Sequence, residues 1–99
     1  MMNRQEAISK LKRQADAVKA LGATSLYLFG SVARDEAKKQ SDLDVFVDYD
    51  PNGRFSLFEL VGIKLLLEES LGVSVDVTTR DSLHPLLRDD IEQSAVRVF

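Results

Sequence analysis

The strand that begins at Asp42 constrains this chain more than any other stretch. From Asp42 to Asp48 the order Asp-Leu-Asp-Val-Phe-Val-Asp alternates. It places Asp42, Asp44, Phe46 and Asp48 on one face and Leu43, Val45 and Val47 on the other. A face buried against helices accounts for the aliphatic set. It does not account for two carboxylates opening the opposite face, because like charges in register repel and Asp is a poor strand former. Asp42 and Asp44 lie about 6.6 to 6.8 Å apart along that face, so both reach one divalent cation placed between them. Upstream, Leu26 to Phe29 reads as a short apolar strand that delivers the chain to a Gly30-Ser31 turn and a short helical segment. Ten residues separate that turn from Asp42.

The flanks supply the rest of an α/β pattern. Residues 3 to 21 are predicted to form one amphipathic helix, with Ile8, Leu11, Ala15, Val18 and Leu21 at spacings of three and four and Gly22 as its stop. Its other face carries Arg4, Lys10, Lys12, Arg13 and Lys19, and the solvated-face explanation is preferred over a partner surface. Asp50-Pro51-Asn52-Gly53 is a strong turn signal after the second strand. Ser56 and Glu59 then stand as a capping box with Phe55 as its staple. The helix that follows, to about Leu71 before Gly72, is expected to bury Leu57, Leu60, Val61, the stem of Lys64, Leu65 and Leu67. Val73 to Thr79 alternates again, with Val73, Val75 and Val77 opposite Ser74, Asp76 and Thr78. From Ser82 on, Pro85, Leu86, Leu87, Ile91, Ala95 and Val98 predict a closing helix.

Composition narrows the class. The chain has 99 residues, 44% hydrophobic and 29% charged, which fits one soluble domain over 1–99 with a single core. No cysteine is present, which excludes disulfides, thiolate metal sites and Cys nucleophiles. The absence of a long apolar run or a signal-peptide core sets the expectation of a cytoplasmic protein that uses no membrane. A net charge of −3 argues against an extensive nucleic-acid surface. It suits a protein whose anionic substrate is screened by metal ions.

Asp76 is a third carboxylate in the middle of an aliphatic strand. If that strand pairs beside the second, its face joins that of Asp42 and Asp44 at a spacing of about 4.8 Å. Three hard oxygen donors on one open face suit Mg²⁺, with Mn²⁺ as a substitute. Two such ions about 3.5 to 4 Å apart clamp the attacking and leaving oxygens of an in-line displacement. The bland alternative has Asp42 capping a strand end, Asp44 facing solvent and Asp76 paired with Arg80 or Lys64. Gly30 lets the backbone approach a ligand without a Cβ in the way, and Ser31 adds a hydroxyl and an N–H. Arg34 is a candidate for a charge-assisted phosphate contact, against a surface ion pair with Asp35 or Glu36. Tyr49 either stacks on a nucleobase or closes the core edge. Arg80 either reaches a triphosphate or balances Asp76 or Asp81, and His84, before Pro85, reads as a loop residue.

Gly30-Ser31, the ten-residue gap and Asp42-Leu43-Asp44 resemble the signature of the DNA polymerase beta-type nucleotidyltransferase superfamily. Gly-Ser-x-Ala-Arg, Glu36-Ala37 and Ser41-Asp-Leu-Asp resemble its minimal nucleotidyltransferase branch. One departure is Asp35, where many relatives carry Gly. The resemblance implies that Ser31 holds the β- and γ-phosphates of a nucleoside triphosphate. It also implies antitoxin action beside a HEPN-domain partner, with AMP passing from ATP to a tyrosine of that partner. The fold expected is a small nucleotidyltransferase fold, a mixed three-stranded sheet with helices packed on one face and the site on the other. Asp42, Asp44 and Asp76 are the expected catalytic and metal-binding residues, and Gly30, Ser31 and Arg34 the nucleotide-binding ones. Two other functions compete: a non-catalytic module that neutralises its partner by contact, and nucleotidyl transfer to a small molecule such as an aminoglycoside.

Overall fold

The structure, a computed structural model, describes residues 2–36 and 42–99. Ala37 and Ser41, which carry part of the family wording, lie outside the described residues. Two helices, α1 (Arg4–Lys12) and α2 (Ala15–Ala20), lead into strand β1 (Ala23–Phe29). After the short helix α3 (Gly30–Ala33) come β2 (Leu43–Tyr49), helix α4 (Leu57–Leu71) and β3 (Val75–Thr79). A 3₁₀ turn at Arg80–Ser82, helix α5 (Arg88–Ser94) and strand β4 (Val96–Arg97) finish the chain. The strands form a four-stranded sheet in the order β3-β2-β1-β4.

Connection lengths explain the pairing. β2 and β3 run parallel, which requires a crossover, and α4 supplies it. β1 is antiparallel to both β2 and β4. One sheet face carries Leu26, Leu28, Leu43, Val45, Val47 and Val75, all buried. Leu11 of α1, Val18 of α2 and Ile63 and Leu67 of α4 are buried in the same core cluster.

Three expectations are corrected. The first helix is two pieces: at Gln14 the amide bonds back three residues to Leu11. Leu11 of the first piece and Val18 of the second both reach the core. The sheet has four strands rather than three, because the predicted closing helix stops at Ser94 and Ala95 turns extended (φ −72°, ψ 149°). Val98 is buried as a continuation of β4, its N–H bonding to Leu26 O at 2.9 Å, while Leu86 and Leu87 are exposed. The third correction concerns α4, where Ile63, Leu67 and Leu71 are buried while Leu57, Val61 and Leu65 face outward. This helix is apolar nearly all round, so periodicity alone does not phase it. Its termini match expectation, with Ser56 capping Phe58 N and Gly72 in the left-handed conformation (φ 72°).

Candidate functional site

The face of the sheet opposite the core reads in rows set by strand register. Phe29 of β1, Asp44 of β2 and Asp76 of β3 lie side by side in the first row. Arg97, Tyr27, Phe46 and Thr78 form the second. Ser25 and Asp48 form the third. Asp42 sits just before β2, two residues from Asp44 and therefore on the same side. The parallel pairing thus brings the three predicted carboxylates to one end of one face.

Asp44 registers this proximity. Partial burial, then the charges of Asp76 and Asp42, raise its pKa above the ordinary carboxylate value, against a weaker opposing effect of Arg34. Among the described residues no Lys or Arg makes an ion pair with Asp42, Asp44 or Asp76. The bland alternatives for Asp76 are not realised: Lys64 bonds Glu68 and the Val75 carbonyl, and Arg80 bonds Asp48 and Glu92.

Gly30 (φ 78°) is built against this cluster. A Cβ there would strike the carboxylate of Asp44 and lie 3.2 Å from its Cγ. Only glycine both adopts this φ without strain and leaves the carboxylate room. Ser31 follows at the first turn of α3, where the N–H groups of Ser31, Val32 and Ala33 have no helical acceptors. The turn closes through Glu36 N to Ser31 O at 2.8 Å. Asp35 takes φ 59°, so an aspartate itself adopts the left-handed conformation that glycine would favour there. Arg34 is exposed and pairs with Glu36 at 3.1 Å, so a phosphate would have to displace that carboxylate.

The donor chemistry fits a hard divalent cation: carboxylate oxygens from Asp42, Asp44 and Asp76, with Gly30 leaving the space beside Asp44 clear. Among the described residues the side chains are not drawn together into a closed set of three ligands. Strand register sets Asp44 and Asp76 side by side against their mutual repulsion, and Mg²⁺ ordinarily completes its shell with substrate oxygens and water.

Residues outside the predicted site close the far end of the face. Arg80 lies 4.8 Å from the Tyr27 ring centre and 4.9 Å from that of Phe46. It grips Asp48 through Nε at 2.8 Å and Nη2 at 3.0 Å, and Glu92 of α5 through Nη1 at 3.3 Å. Ser25 Oγ donates to the same Asp48 at 2.9 Å. Phe46 is therefore fully buried although it shares the face of the carboxylates. Arg80 balances Asp48 and Glu92 rather than Asp76 or Asp81, and α5 packs on the carboxylate side of the sheet. Tyr49 stacks on Phe55 at 4.8 Å and donates its hydroxyl to Asp81 at 2.8 Å, closing the core edge. His84 is a loop residue that accepts from Leu86 N at 3.1 Å.

Comparison with known proteins gives a consistent picture. The family model described as "Nucleotidyltransferase domain" matches residues 11–98. A chain of Methanocaldococcus jannaschii named as a protein adenylyltransferase is 48% identical over 78 residues, spanning 79% of this chain and 82% of its own. A solved structure described as a minimal nucleotidyltransferase superposes with a TM-score of 0.72 at 35% identity, covering 90% of this chain and 93% of that one. A complex of the tri-AMPylated HEPN toxin of Shewanella oneidensis with an MNT antitoxin superposes with a TM-score of 0.68 at 17% identity. That match covers 97% of this chain and 71% of the other and shows a shared fold. Among the described residues no helix is long and apolar enough to cross a membrane.

Proposed function

The chain belongs to the nucleotidyltransferase domain family and is a nucleotidyltransferase, and from that premise we propose that it transfers AMP from ATP to a tyrosine hydroxyl of a HEPN-type toxin, acting as its antitoxin. The observation that carries this reading is the registered pair Asp44 and Asp76, flanked by Asp42 and backed by Gly30. The similarity to an adenylyltransferase of proteins supports the choice of acceptor class, and the fold shared with an antitoxin bound to an AMPylated HEPN toxin supports the partner.

In this mechanism Ser31 holds the β- and γ-phosphates through its hydroxyl and N–H, and Arg34 exchanges Glu36 for a phosphate oxygen. Asp42, Asp44 and Asp76 would hold one or two Mg²⁺ ions, which when bound neutralise charge and polarise phosphate oxygens. Asp76 accepts the proton of the acceptor hydroxyl. The freed oxygen attacks the α-phosphorus, the bond from the α-phosphorus to the bridging oxygen breaks, and pyrophosphate leaves. Gly30 and the sheet contribute by positioning, since little covalent chemistry is required of the protein.

The test is the intact mass of the partner after incubation with ATP and Mg²⁺. Asp76→Asn should keep the complex and lose the AMP adduct together with neutralisation of toxicity. Persistent neutralisation by that variant would establish the contact-only alternative instead. Ser31→Ala should weaken ATP binding by about 0.5 to 1.5 kcal/mol, read by calorimetry, and unchanged affinity would reduce Ser31 to a turn residue.

A further inference from the structure

Helix α4 crosses from β2 to β3 under the sheet and leaves an apolar stripe uncovered. Leu57 is 72% exposed, Phe58 89%, Val61 44% and Leu65 59%. With about 100° per residue these four fall within about a quarter to a third of the helix circumference. Isolated exposed apolar residues need no explanation, but four contiguous ones on one arc mark an interaction surface.

The place of the stripe in the fold ties it to the site. Lys64 and Glu68 border it on one side and reach the edge of β3: Lys64 Nζ donates to Val75 O at 2.7 Å, and Glu68 accepts from Val75 N at 3.0 Å. Asp76 is the next residue and is exposed on that edge strand. At the other end Leu57 lines a shallow pocket of about 250 Å³ with Thr79 and Asp81, just beyond β3. The stripe therefore runs alongside the edge strand β3, and an occupant that reaches past that edge meets Asp76 on the opposite face of the sheet. The phosphate-holding Gly30 and Ser31 lie across β2 from that edge, so an acceptor arriving over β3 meets the nucleotide from the open side.

Charge selects the occupant. Glu68 and Asp81 lie on the β3 side of the stripe, and Glu69 follows Leu65 and Phe58 on the other. Lys64, the one cation in α4, is already paired with Glu68. A second copy seated symmetrically would set two acidic rims against each other. We infer that the α4 stripe is the docking surface for the protein acceptor, which seats on it an amphipathic helix whose apolar ridge is flanked by Lys or Arg. This rests on the protein-acceptor reading above and adds where the acceptor binds.

The test uses the full chain with the HEPN-type protein as acceptor. Val61→Glu/Leu65→Glu, and the milder Phe58→Ser/Leu65→Ser, alter only exposed side chains and should retain the wild-type circular dichroism and ATP affinity. Each should raise the KM for the acceptor by at least about tenfold while kcat at saturation holds. Glu69→Lys should raise it severalfold, and added salt should weaken wild-type binding. Wild-type KM in both stripe variants would overturn the inference, as would tighter binding by Glu69→Lys. Stripe-dependent binding without any AMP adduct would uphold the docking surface and defeat the proposed reaction. No binding by the wild type, or a wild-type dimer that the stripe variants dissociate in sedimentation, would overturn the docking inference.

Discussion

Burial and the charges of Asp76 and Asp42 raise the Asp44 pKa, so the native state holds that proton more tightly than the unfolded chain. The penalty for ionising Asp44 is present at neutral pH and is relieved as pH falls through its raised native value. Below the unfolded value near 3.9 it is gone. Asp44→Asn should thus stabilise the metal-free protein at pH 7 by a few tenths to about 1 kcal/mol. Denaturant titrations should show the gain vanishing below about pH 4. Asp48 behaves oppositely. Hydrogen bonds from Arg80, then from Ser25, and the Arg80 charge hold its pKa below the ordinary value despite partial burial. Its contribution is complete above the unfolded value and is lost as pH falls through the depressed native one. Asp48→Asn should cost on the order of 1 kcal/mol at pH 7, since about a third of each partner side chain is exposed and screened. A cost that persisted undiminished in strong acid would refute the ion-pair account. At Gly30, substitution by Ala meets both a left-handed φ and the Asp44 carboxylate. The φ alone is worth about 1 to 2 kcal/mol, and activity should fall further than stability does.

At the scale of elements, legibility followed the strength of local periodicity. β2 and β3 alternate cleanly and were legible, as were the Gly30-Ser31 turn and the Ser56 and Gly72 helix ends, which have local chemical causes. Given both strands, the carboxylate face needed only their adjacency, which a parallel crossover through α4 supplies. β4 was not legible because two residues are too few to show a period. The alternation Val96-Arg97-Val98 was its only signal, and Ala95 and Val98 also fit a helical spacing. The facing of α4 was misassigned because apolar residues surround it. Its phase is set by a tertiary contact, the clamp of Lys64 and Glu68 on the backbone of Val75. The same clamp satisfies outward backbone groups of an edge strand, a device that also blocks edge-to-edge pairing. Glu68→Ala should accordingly speed amide hydrogen exchange at Val75 more than at Val45 in the adjacent strand and lower the melting midpoint. Because bonds from the Val75 N–H and from Lys64 depress the Glu68 pKa, the difference between wild type and variant should shrink in acid.

At the scale of the whole molecule, one sheet divides the labour. One face holds the chain together through Leu26, Leu28, Val45, Val47 and Val75. The other is split between the Arg80 clasp on Asp48, Phe46 and Tyr27 and the open carboxylate end. The clasp carries stability away from the carboxylate end, where no Lys or Arg among the described residues makes an ion pair with Asp42, Asp44 or Asp76, and the complete aliphatic face lets the fold tolerate that charge. A ligand that binds only the native arrangement of Asp42, Asp44 and Asp76 should then stabilise the entire chain by mass action. At a hundred times its dissociation constant the gain is about 2.7 kcal/mol. Mg²⁺ with a non-hydrolysable ATP analogue should raise the melting midpoint of the wild type by several degrees, the amount scaling with the logarithm of ligand concentration. Asp42→Asn/Asp44→Asn should start from an equal or higher midpoint in the absence of metal and show little or no rise on adding it. Removing the metal from the wild type with a chelator should return the lower midpoint reversibly, because the aliphatic core does not depend on the ion. Equal shifts in wild type and variant would place nucleotide and metal somewhere other than this carboxylate end.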